Sequence, residues 1–340
     1  MIHSLSSPSR SPMVGLRQHS GSAIPADLQP VGPVDQVRLL NSVEAAAPKA
    51  NSPYFDAAAN ESAKTAYYGD LPARLQQLNP KETFQELSDL LTSSHKNQLN
   101  YAPSEHLYPV VDLRPDGQIR SLYAGEQSQG VRAEALIADD LRRAAQNRQD
   151  QSRGQASGDF HYNCEHVVPQ SWFDKKSPMR GDLHHLFACD VQCNSLRGNS
   201  LYIDFPAQPS NDCGISDEAH TRFEPAAGKG AAARATLYFL MRYPGQIGDE
   251  QKEYTAGDLK MLLEWHRQDP PGPFELHRNA EIALKQGNRN PLVDFPEWAE
   301  RIDFKSGLGA WGQQHRQLPR IPQDYLLSCP VSRPFAYLAG

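Results

Sequence analysis

The chain has 340 residues, enough for one large domain or two ordinary ones, and its 39% hydrophobic fraction is sufficient for a globular core. No apolar run approaches the roughly 18 residues that a membrane span needs, so we expect no membrane-embedded segment. The formal net charge of −6 excludes a basic field over the whole protein, so any nucleic-acid binding must come from a local basic patch.

Residues 1–65 are predicted to form a tail in front of the folded domain. The opening segment, up to Pro25, is rich in Ser, Pro and Gly, has no acidic residue and lacks the apolar centre of an ordinary secretory signal. This composition is typical of a disordered segment, because it cannot bury a core. The alternative is an uncleaved export or targeting segment. In that case the protein is secreted, or delivered to another cell, by a non-classical route.

The segment "NPKETFQELSDLLTSSH" carries a full set of helix signals. Asn79 fits the N-cap, Pro80 the first helical position and Glu82 the return contact of a capping box. The apolar residues that follow fall on one helical face: Phe84, Leu87, Leu90 and Leu91.

The next two segments are predicted to be a hairpin and a helix. "YPVVDLRPDGQIRSLYAG" is predicted to be a β-hairpin, because two apolar runs flank the turn residues Pro115-Asp116-Gly117. "VRAEALIADDLRRAAQNRQ" is predicted to be an exposed helix.

Three more helices are predicted after the central part of the chain. "KGAAARATLYFLMRY" is mostly apolar and is expected to be buried. "TAGDLKMLLEWHRQ" has Thr255 as a candidate cap, with Asp258 three residues later, and "PFELHRNAEIALKQG" is expected to end at Gly287. Sparse strands surrounded by helices predict an α+β, mostly helical domain over residues 66–305. Residues 306–340 are expected to be an extension that packs on this domain or is partly disordered.

The segment 161–200 lies at the centre and is rich in His, Glu, Asp, Asn and Arg. "EHVVP" predicts a short strand that ends at Pro169, and "DLHHLF" predicts a second strand or a turn. Asp190 fits the N-cap of a short helix, "VQCNSLR", with Gly198 just past its end. Asn194 falls within this helix, where Asn has poor propensity. A metal ion or a hydrogen bond to a neighbouring side chain is expected to compensate.

This combination of residues fits phosphodiester hydrolysis. His166 is the natural base to activate water near neutral pH. Oxygen ligands such as the Glu165 carboxylate and the Asn194 amide suit Mg²⁺, which stabilises charge on the phosphate and on the departing oxygen. Adjacent residues on a regular strand point to opposite faces. A site shared by Glu165 and His166 therefore requires an irregular backbone, at a strand end or a bulge.

Three blocks, "EHVVPQSWF", "MRGDLHHLF" and "NSLRGN", resemble the signature of the bacterial endonuclease I family, within the His-Me finger (ββα-metal) nucleases. Further similar blocks extend the resemblance over roughly residues 66 to 305. It implies a ββα-metal centre surrounded by helices, and non-specific cleavage of DNA, often also of RNA, to 5′-phosphate ends. It also implies that His166 is the general base and that Glu165 and Asn194 hold Mg²⁺, with Mn²⁺ or Ca²⁺ as substitutes.

Other residues of the segment receive less direct roles. Some members of the family carry a transition-state arginine that has no unambiguous match here, and Arg180 is the candidate in its place. Asp182, His184 and His185 are candidates to orient the catalytic groups. The alternative is that these three only hold the local turns together by hydrogen bonds. The residues predicted to contact substrate phosphates are Lys175, Lys176, Arg197 and Arg289.

The cysteine count is odd, so at least one thiol is free or pairs with another molecule. The five residues are Cys164, Cys189, Cys193, Cys213 and Cys329. A disulfide between two of Cys189, Cys193 and Cys213 is one expectation. A zinc site that joins Cys164, Cys189 and Cys193 with His161 and His184 is another, although no paired CxxC spacing supports it. The rival to a nuclease is accordingly a non-catalytic DNA-binding or zinc-organised module on the same scaffold.

The expected partners follow from the predicted chemistry. They are DNA, with RNA as a second substrate, and an immunity or inhibitor protein, because an active nuclease endangers the cell that makes it. An exported nuclease toxin or effector is compatible with these expectations. The sequence leaves the oligomeric state open.

Overall fold

The computed structural model describes residues 54–125, 128–150, 161–206 and 212–315, without the side chains of 144–150. Most of the predicted tail and the last part of the predicted extension lie outside this range. No helix among the described residues is long and apolar enough to cross a membrane.

The described residues are mainly helical. The α-helices are α1 (Ala57–Tyr68), α2 (Leu71–Arg74), α3 (Pro80–Ser94), α4 (Pro103–His106), α5 (Ala133–Asp150), α6 (Val191–Arg197), α7 (Lys229–Arg242), α8 (Leu259–Gln268), α9 (Pro273–Gln286), α10 (Pro291–Asp294) and α11 (Ala310–Gln314). Short 3₁₀ helices span Leu75–Gln77, Leu122–Ala124, Gln170–Phe173, Met179–Gly181, Leu183–His185, Pro296–Arg301 and Phe304–Gly307, and Leu107–Val111 is a π-helix.

Seven short strands form three small sheets within the described residues. The strands are β1 (Gln118–Ile119), β2 (Val131–Arg132), β3 (Tyr162–His166), β4 (Leu186–Asp190), β5 (Leu201–Tyr202), β6 (Gly214–Ser216) and β7 (Arg222–Pro225). β1 pairs with β2 and β3 with β4, both antiparallel, while β7 lies between β5 and β6. The predicted α+β, mostly helical class is confirmed.

Helix α7 forms the centre of the core. It is buried almost all the way round, as its apolar sequence predicted, and it packs against α3 and α8. The 3₁₀ helix Leu183–His185 also packs on α7. The core therefore fixes the segment that connects β3 to β4.

Several helix ends are set by local sequence. Asn79 accepts hydrogen bonds from the backbone N–H groups of Lys81 and Glu82, and Glu82 accepts one from the Asn79 backbone, so the predicted capping box is confirmed. Gly287 ends α9 with φ of 93°, a left-handed conformation that favours glycine.

The predicted hairpin over 108–125 is wrong. The turn at Pro115-Asp116-Gly117 exists, but the apolar run before it forms the π-helix Leu107–Val111. β1 pairs instead with β2, which follows a longer connection. Burial explains the difference, because Tyr108 and Val111 are both buried and the helical turn places both in the core.

The folded part extends past both predicted boundaries. α1 begins at Ala57, before the predicted domain start at 66, and Asp56 caps it. At the other end, α11 packs on the domain through backbone hydrogen bonds between Gly312 and both Gly248 and Ala256. Helix α8 begins after Asp258 rather than at Thr255, whose hydroxyl and N–H both donate to the Asp258 carboxylate.

Candidate active site

The central segment forms a strand–strand–helix unit made of β3, β4 and α6. The register between the strands is unbroken, with Glu165 opposite Phe187 and His166 opposite Leu186. Asp190 ends β4 and caps α6, as predicted, by accepting from the N–H groups of Gln192 and Cys193. The strand predicted over "EHVVP" lies nearer the N-terminus than expected, because β3 spans Tyr162–His166.

His166 is the last residue of β3 and is 5% exposed. Its Nε2 lies 3.1 Å from the carbonyl oxygen of Arg180. A carbonyl can only accept, so Nε2 carries the proton and Nδ1 has the lone pair. Nδ1 makes no hydrogen bond with any described residue. Burial, and next the neighbouring His185, hold the pKa of His166 well below its ordinary value, so the ring is neutral at pH 7.

Glu165 is 2% exposed, and one of its carboxylate oxygens interacts with two neighbouring side chains. Oε1 accepts from the Tyr123 hydroxyl at 2.6 Å and lies 3.0 Å from the Arg197 guanidinium. Burial raises the pKa of Glu165, while Arg197 and Tyr123 act in the opposite direction. Among the described residues Oε2 has no hydrogen-bond partner, and it is not a fully buried atom.

Asn194 lies in α6, facing β3. Its Nδ2 donates to Asn163 Oδ1 at 2.7 Å and lies 3.4 Å from the carbonyl oxygen of Cys164. The compensating hydrogen bond expected for an asparagine within this helix is therefore present. Its Oδ1 makes no hydrogen bond with the described part of the chain.

Glu165, His166 and Asn194 together are called the strand-end site below. The Glu165 and His166 side chains have different neighbours, as alternation on a strand requires. Glu165 contacts Tyr123 and α6, whereas the His166 ring lies 4.9 Å from that of Tyr101. No bulge interrupts β3, and His166 is its last residue, so of the two irregularities that a shared site requires, only the strand end is present.

The donor atoms of the strand-end site fit a hard divalent cation. Glu165 Oε2 and Asn194 Oδ1 are carboxylate and amide oxygens without partners among the described residues. Oxygen ligands of this kind suit Mg²⁺, which retains several waters and needs few protein ligands.

Arg180 and two lysines lie in the connection between β3 and β4. The Arg180 guanidinium is 5.0 Å from the centre of the Tyr101 ring, and its Nε donates to Gln170 at 3.0 Å. Its terminal nitrogens make no hydrogen bond with the described residues. Lys175 and Lys176 are exposed in the turn before Arg180, with Lys176 paired to Asp174 at 3.0 Å.

The assignment of Arg197 and Arg289 to substrate contact is wrong, because both are buried. Arg197 is 1% exposed and binds Glu165 and the carbonyl oxygens of His166 and Val167. Arg289 is 2% exposed and pairs with Asp294 at 2.7 Å. A guanidinium enclosed in this way cannot reach a substrate phosphate.

Asp182 and His184 do not touch the strand-end site. Asp182 is fully buried and accepts from the hydroxyls of Tyr238 and Tyr243, from Gln286 and from the His184 backbone. These contacts match the alternative prediction, in which Asp182 and His184 hold the local turns together. His185 differs, because its ring packs edge-on against that of His166 at 5.5 Å.

The cysteines form one disulfide among the described residues, between Cys193 and Cys213, which confirms the expected pairing. Cys164 and Cys189 are free and buried. Asp190 lies next to the disulfide, but oxidised sulfurs offer no thiolate to a metal. The zinc site that would have used Cys193 is therefore not formed.

Two contributors to the site were missed by the sequence reasoning. Asn163 stands two positions before Glu165 on the same strand face, so β-strand alternation could have indicated it. Tyr123 comes from the distant 3₁₀ helix Leu122–Ala124, and no local sequence signal indicates it.

The fold and site define an α+β protein in which a strand–strand–helix unit carries a neutral histidine, a carboxylate and an amide. The family model for Endonuclease I matches residues 81–297, more than half of the chain. The chain therefore belongs to the Endonuclease I family, and the predicted resemblance is confirmed.

Named relatives agree with this membership. The chain is 35% identical over 175 residues to an extracellular ribonuclease of Bacillus amyloliquefaciens, covering 46% of this chain and 58% of the relative. It is 36% identical over 156 residues to an extracellular ribonuclease of Bacillus subtilis, covering 42% and 54%. It is 30% identical over 166 residues to a periplasmic deoxyribonuclease of Aeromonas hydrophila, covering 42% and 67%. The chain thus spans little more than half the length of the two Bacillus relatives.

Proposed function

We propose that this protein is a metal-dependent, largely sequence-nonspecific endonuclease that hydrolyses DNA, and also RNA, to 5′-phosphate ends. The observation that carries the proposal is the proton arrangement of His166. Its Nε2–H is committed to the Arg180 carbonyl, which leaves Nδ1 of the neutral ring as a proton acceptor, on the residue that directly follows the proposed metal ligand Glu165. The unit of β3, β4 and α6 then acts as the ββα-metal centre of a His-Me finger nuclease.

In this reaction His166 Nδ1 accepts a proton from water while the water oxygen attacks phosphorus. The bond from phosphorus to the 3′ oxygen breaks, so the phosphate remains on the 5′ oxygen of the downstream nucleotide, and the leaving 3′ oxygen takes up a proton from water. Glu165 and Asn194 would hold a divalent cation, with Mg²⁺ as the natural ion, and the bound ion would supply charge neutralisation on the phosphate and on the leaving 3′ oxygen. We assign Arg180 to contact the same phosphate, since its terminal nitrogens make no hydrogen bond with the described residues.

The substrate and setting of the enzyme rest on its relatives. Their names include both ribonucleases and deoxyribonucleases, which supports activity on both nucleic acids. The same names are those of extracellular or periplasmic proteins, which supports export. An exported nuclease toxin with a neutralising partner in the producing cell is a further step of this proposal.

The test is cleavage of supercoiled plasmid, and of a structured RNA, with Mg²⁺, with EDTA and with the His166→Ala variant. We expect cleavage by the wild type that disappears with EDTA and falls steeply in the variant. Folded wild type that cuts neither substrate with Mg²⁺, Mn²⁺ or Ca²⁺ would instead favour a non-catalytic nucleic-acid-binding module.

A further inference from the structure

Each of the two proposed metal ligands has two polar side-chain atoms. One of them interacts with neighbouring side chains, and the other makes no hydrogen bond with the described residues. Glu165 Oε1 is held by Tyr123 and Arg197, and Oε2 remains. Asn194 Nδ2 is held by Asn163, and Oδ1 remains. A carboxylate can rotate about its bond to the side chain, and an amide can flip. The hydrogen bonds named above therefore hold each group in one orientation.

The selection at Glu165 depends on a directed hydroxyl. Tyr123 is fully buried, and its oxygen lies 2.6 Å from both Glu165 Oε1 and the Tyr202 hydroxyl. A carboxylate can only accept, so the single proton of Tyr123 points to Glu165 and Tyr202 donates to Tyr123. This chain of hydrogen bonds fixes the rotation of the carboxylate.

The selection at Asn194 depends on an acceptor pair. Asn163 Oδ1 and the Cys164 carbonyl both lie within reach of Asn194 Nδ2. Reversing the amide would bring its oxygen against these two acceptors, which is unfavourable. The NH₂ group is therefore held against β3, and Oδ1 is left on the other side.

We propose that Tyr123 and Asn163 are positioning residues of the cation site, which preset one free oxygen on Glu165 and one on Asn194. The inference rests on the proposed function and adds two residues to it. Neither residue touches the cation or the substrate. Outer partners of metal ligands typically change metal affinity by about 10–100-fold when they are removed, because the ligand then has to be ordered at binding.

The experiment measures Mn²⁺ binding to the full chain without nucleic acid, by isothermal titration and by the loss of the free Mn²⁺ resonance signal. Tyr123→Phe removes only the hydroxyl, and Asn163→Ala removes only the acceptor. We expect each to weaken Mn²⁺ binding by about 10-fold or more. Asn163→Asp restores an acceptor for Asn194 and should recover affinity to at least the wild-type level.

Matched controls remove a similar group elsewhere. Tyr238→Phe deletes a buried hydroxyl that also donates to a carboxylate, that of Asp182 at 2.8 Å. Asn97→Ala deletes an amide that donates to the Lys285 carbonyl oxygen. Both controls should leave Mn²⁺ affinity unchanged, with folding of every variant checked by circular dichroism.

Plasmid cleavage over a range of Mn²⁺ concentrations provides a second readout. In both positioning variants the concentration for half-maximal rate should rise about 10-fold, while the rate at saturating Mn²⁺ returns to within a few-fold of wild type. Folded Tyr123→Phe and Asn163→Ala proteins with wild-type Mn²⁺ affinity would overturn the positioning role. If the wild type itself binds no Mn²⁺ and cuts nothing, it is the proposed function that fails.

Discussion

Two polar clusters of similar composition lie on either side of His185. They differ in how many of their polar atoms make hydrogen bonds. In the cluster around Asp182, both carboxylate oxygens have donors: Oδ1 accepts from Gln286 and the His184 backbone, and Oδ2 from Tyr238 and Tyr243. In the strand-end site, Glu165 Oε2, Asn194 Oδ1 and His166 Nδ1 make no hydrogen bond with the described residues.

The difference shows how the same residue types divide between structure and chemistry. A buried carboxylate with every oxygen paired stabilises the fold and has nothing left for a ligand. A cluster that leaves one oxygen or one ring nitrogen unpaired on each group keeps the capacity to bind a cation and accept a proton. Variants that separate activity from stability test this difference between the two clusters.

The largest expected effect is on the cleavage rate of the His166→Ala variant. A positioned general base contributes about 10²–10⁴-fold, so we expect a fall of that size in plasmid cleavage at saturating Mg²⁺. The free energy of unfolding should fall by about 2–4 kcal/mol, because a buried ring and its hydrogen bond to a carbonyl are lost, so the rate is compared per folded molecule. His184→Asn, in the other cluster, should keep its rate per folded molecule. Equal losses of rate in the two variants would remove the distinction between the clusters.

The next effect is on stability, in Asp182→Asn. The amide keeps one acceptor oxygen but loses the other, so two donors of the cluster are left unpaired. At about 1–3 kcal/mol for each buried unpaired group, we expect a loss of about 4 kcal/mol in urea unfolding. Glu250→Gln, which breaks an exposed pair with Lys252, should change stability by less than about 0.5 kcal/mol. A small loss for Asp182→Asn would show that the tyrosine hydroxyls find other partners.

The third effect is a decline of stability in acid. Burial lowers the pKa of His184 from 6.5 to about 4, even though Asp182 acts in the opposite direction. The unfolded chain then binds a proton between these two values and the folded protein does not. Stability is therefore complete above pH 6.5 and is lost as the pH falls towards 4. At about 1.4 kcal/mol for each pH unit, His184 contributes a loss of about 3 kcal/mol.

Other groups add to this acid sensitivity with the same sign. Burial also lowers the pKa values of His95, His166 and His185. The measurement is the urea midpoint between pH 7 and 4 for the wild type, for His184→Gln and for the exposed control His315→Gln. We expect a flatter profile in His184→Gln alone. Identical profiles in all three proteins would contradict the assignment.

The sequence predicted local features better than partners. The cap at Asn79, the cap at Asp190 and the end of α9 at Gly287 were predictable, because each depends on residues within one helical turn. The hairpin prediction was wrong because β1 pairs with β2, which follows a longer connection. A short continuous apolar run such as residues 108–111 suits a strand or a buried helix equally well.

The same contrast between local features and long-range partners holds for the candidate site. The three central residues followed from their chemistry and from the resemblance of the surrounding blocks. Arg197 and Arg289 were assigned to substrate because a basic residue in a predicted helix or loop gives no local sign of burial. Tyr123 could not be assigned any role, because its contact with Glu165 joins residues 42 positions apart.

The smallest expected effect concerns the exposed lysines beside the site. Lys175 has a φ of 55°, so Asn, which tolerates this conformation, is the suitable neutral replacement. We expect Lys175→Asn with Lys176→Gln to weaken binding of a short DNA duplex to the His166→Ala protein by less than about 10-fold. The magnitude of the slope of log affinity against log salt should fall by about 1 to 2, because each phosphate contact that is removed means about one counterion fewer is released on binding. Lys252→Gln, another exposed lysine, should leave the slope unchanged. An unchanged slope in the double variant would mean that these lysines only solvate a turn, and Arg180 would remain the one predicted phosphate contact among the described residues.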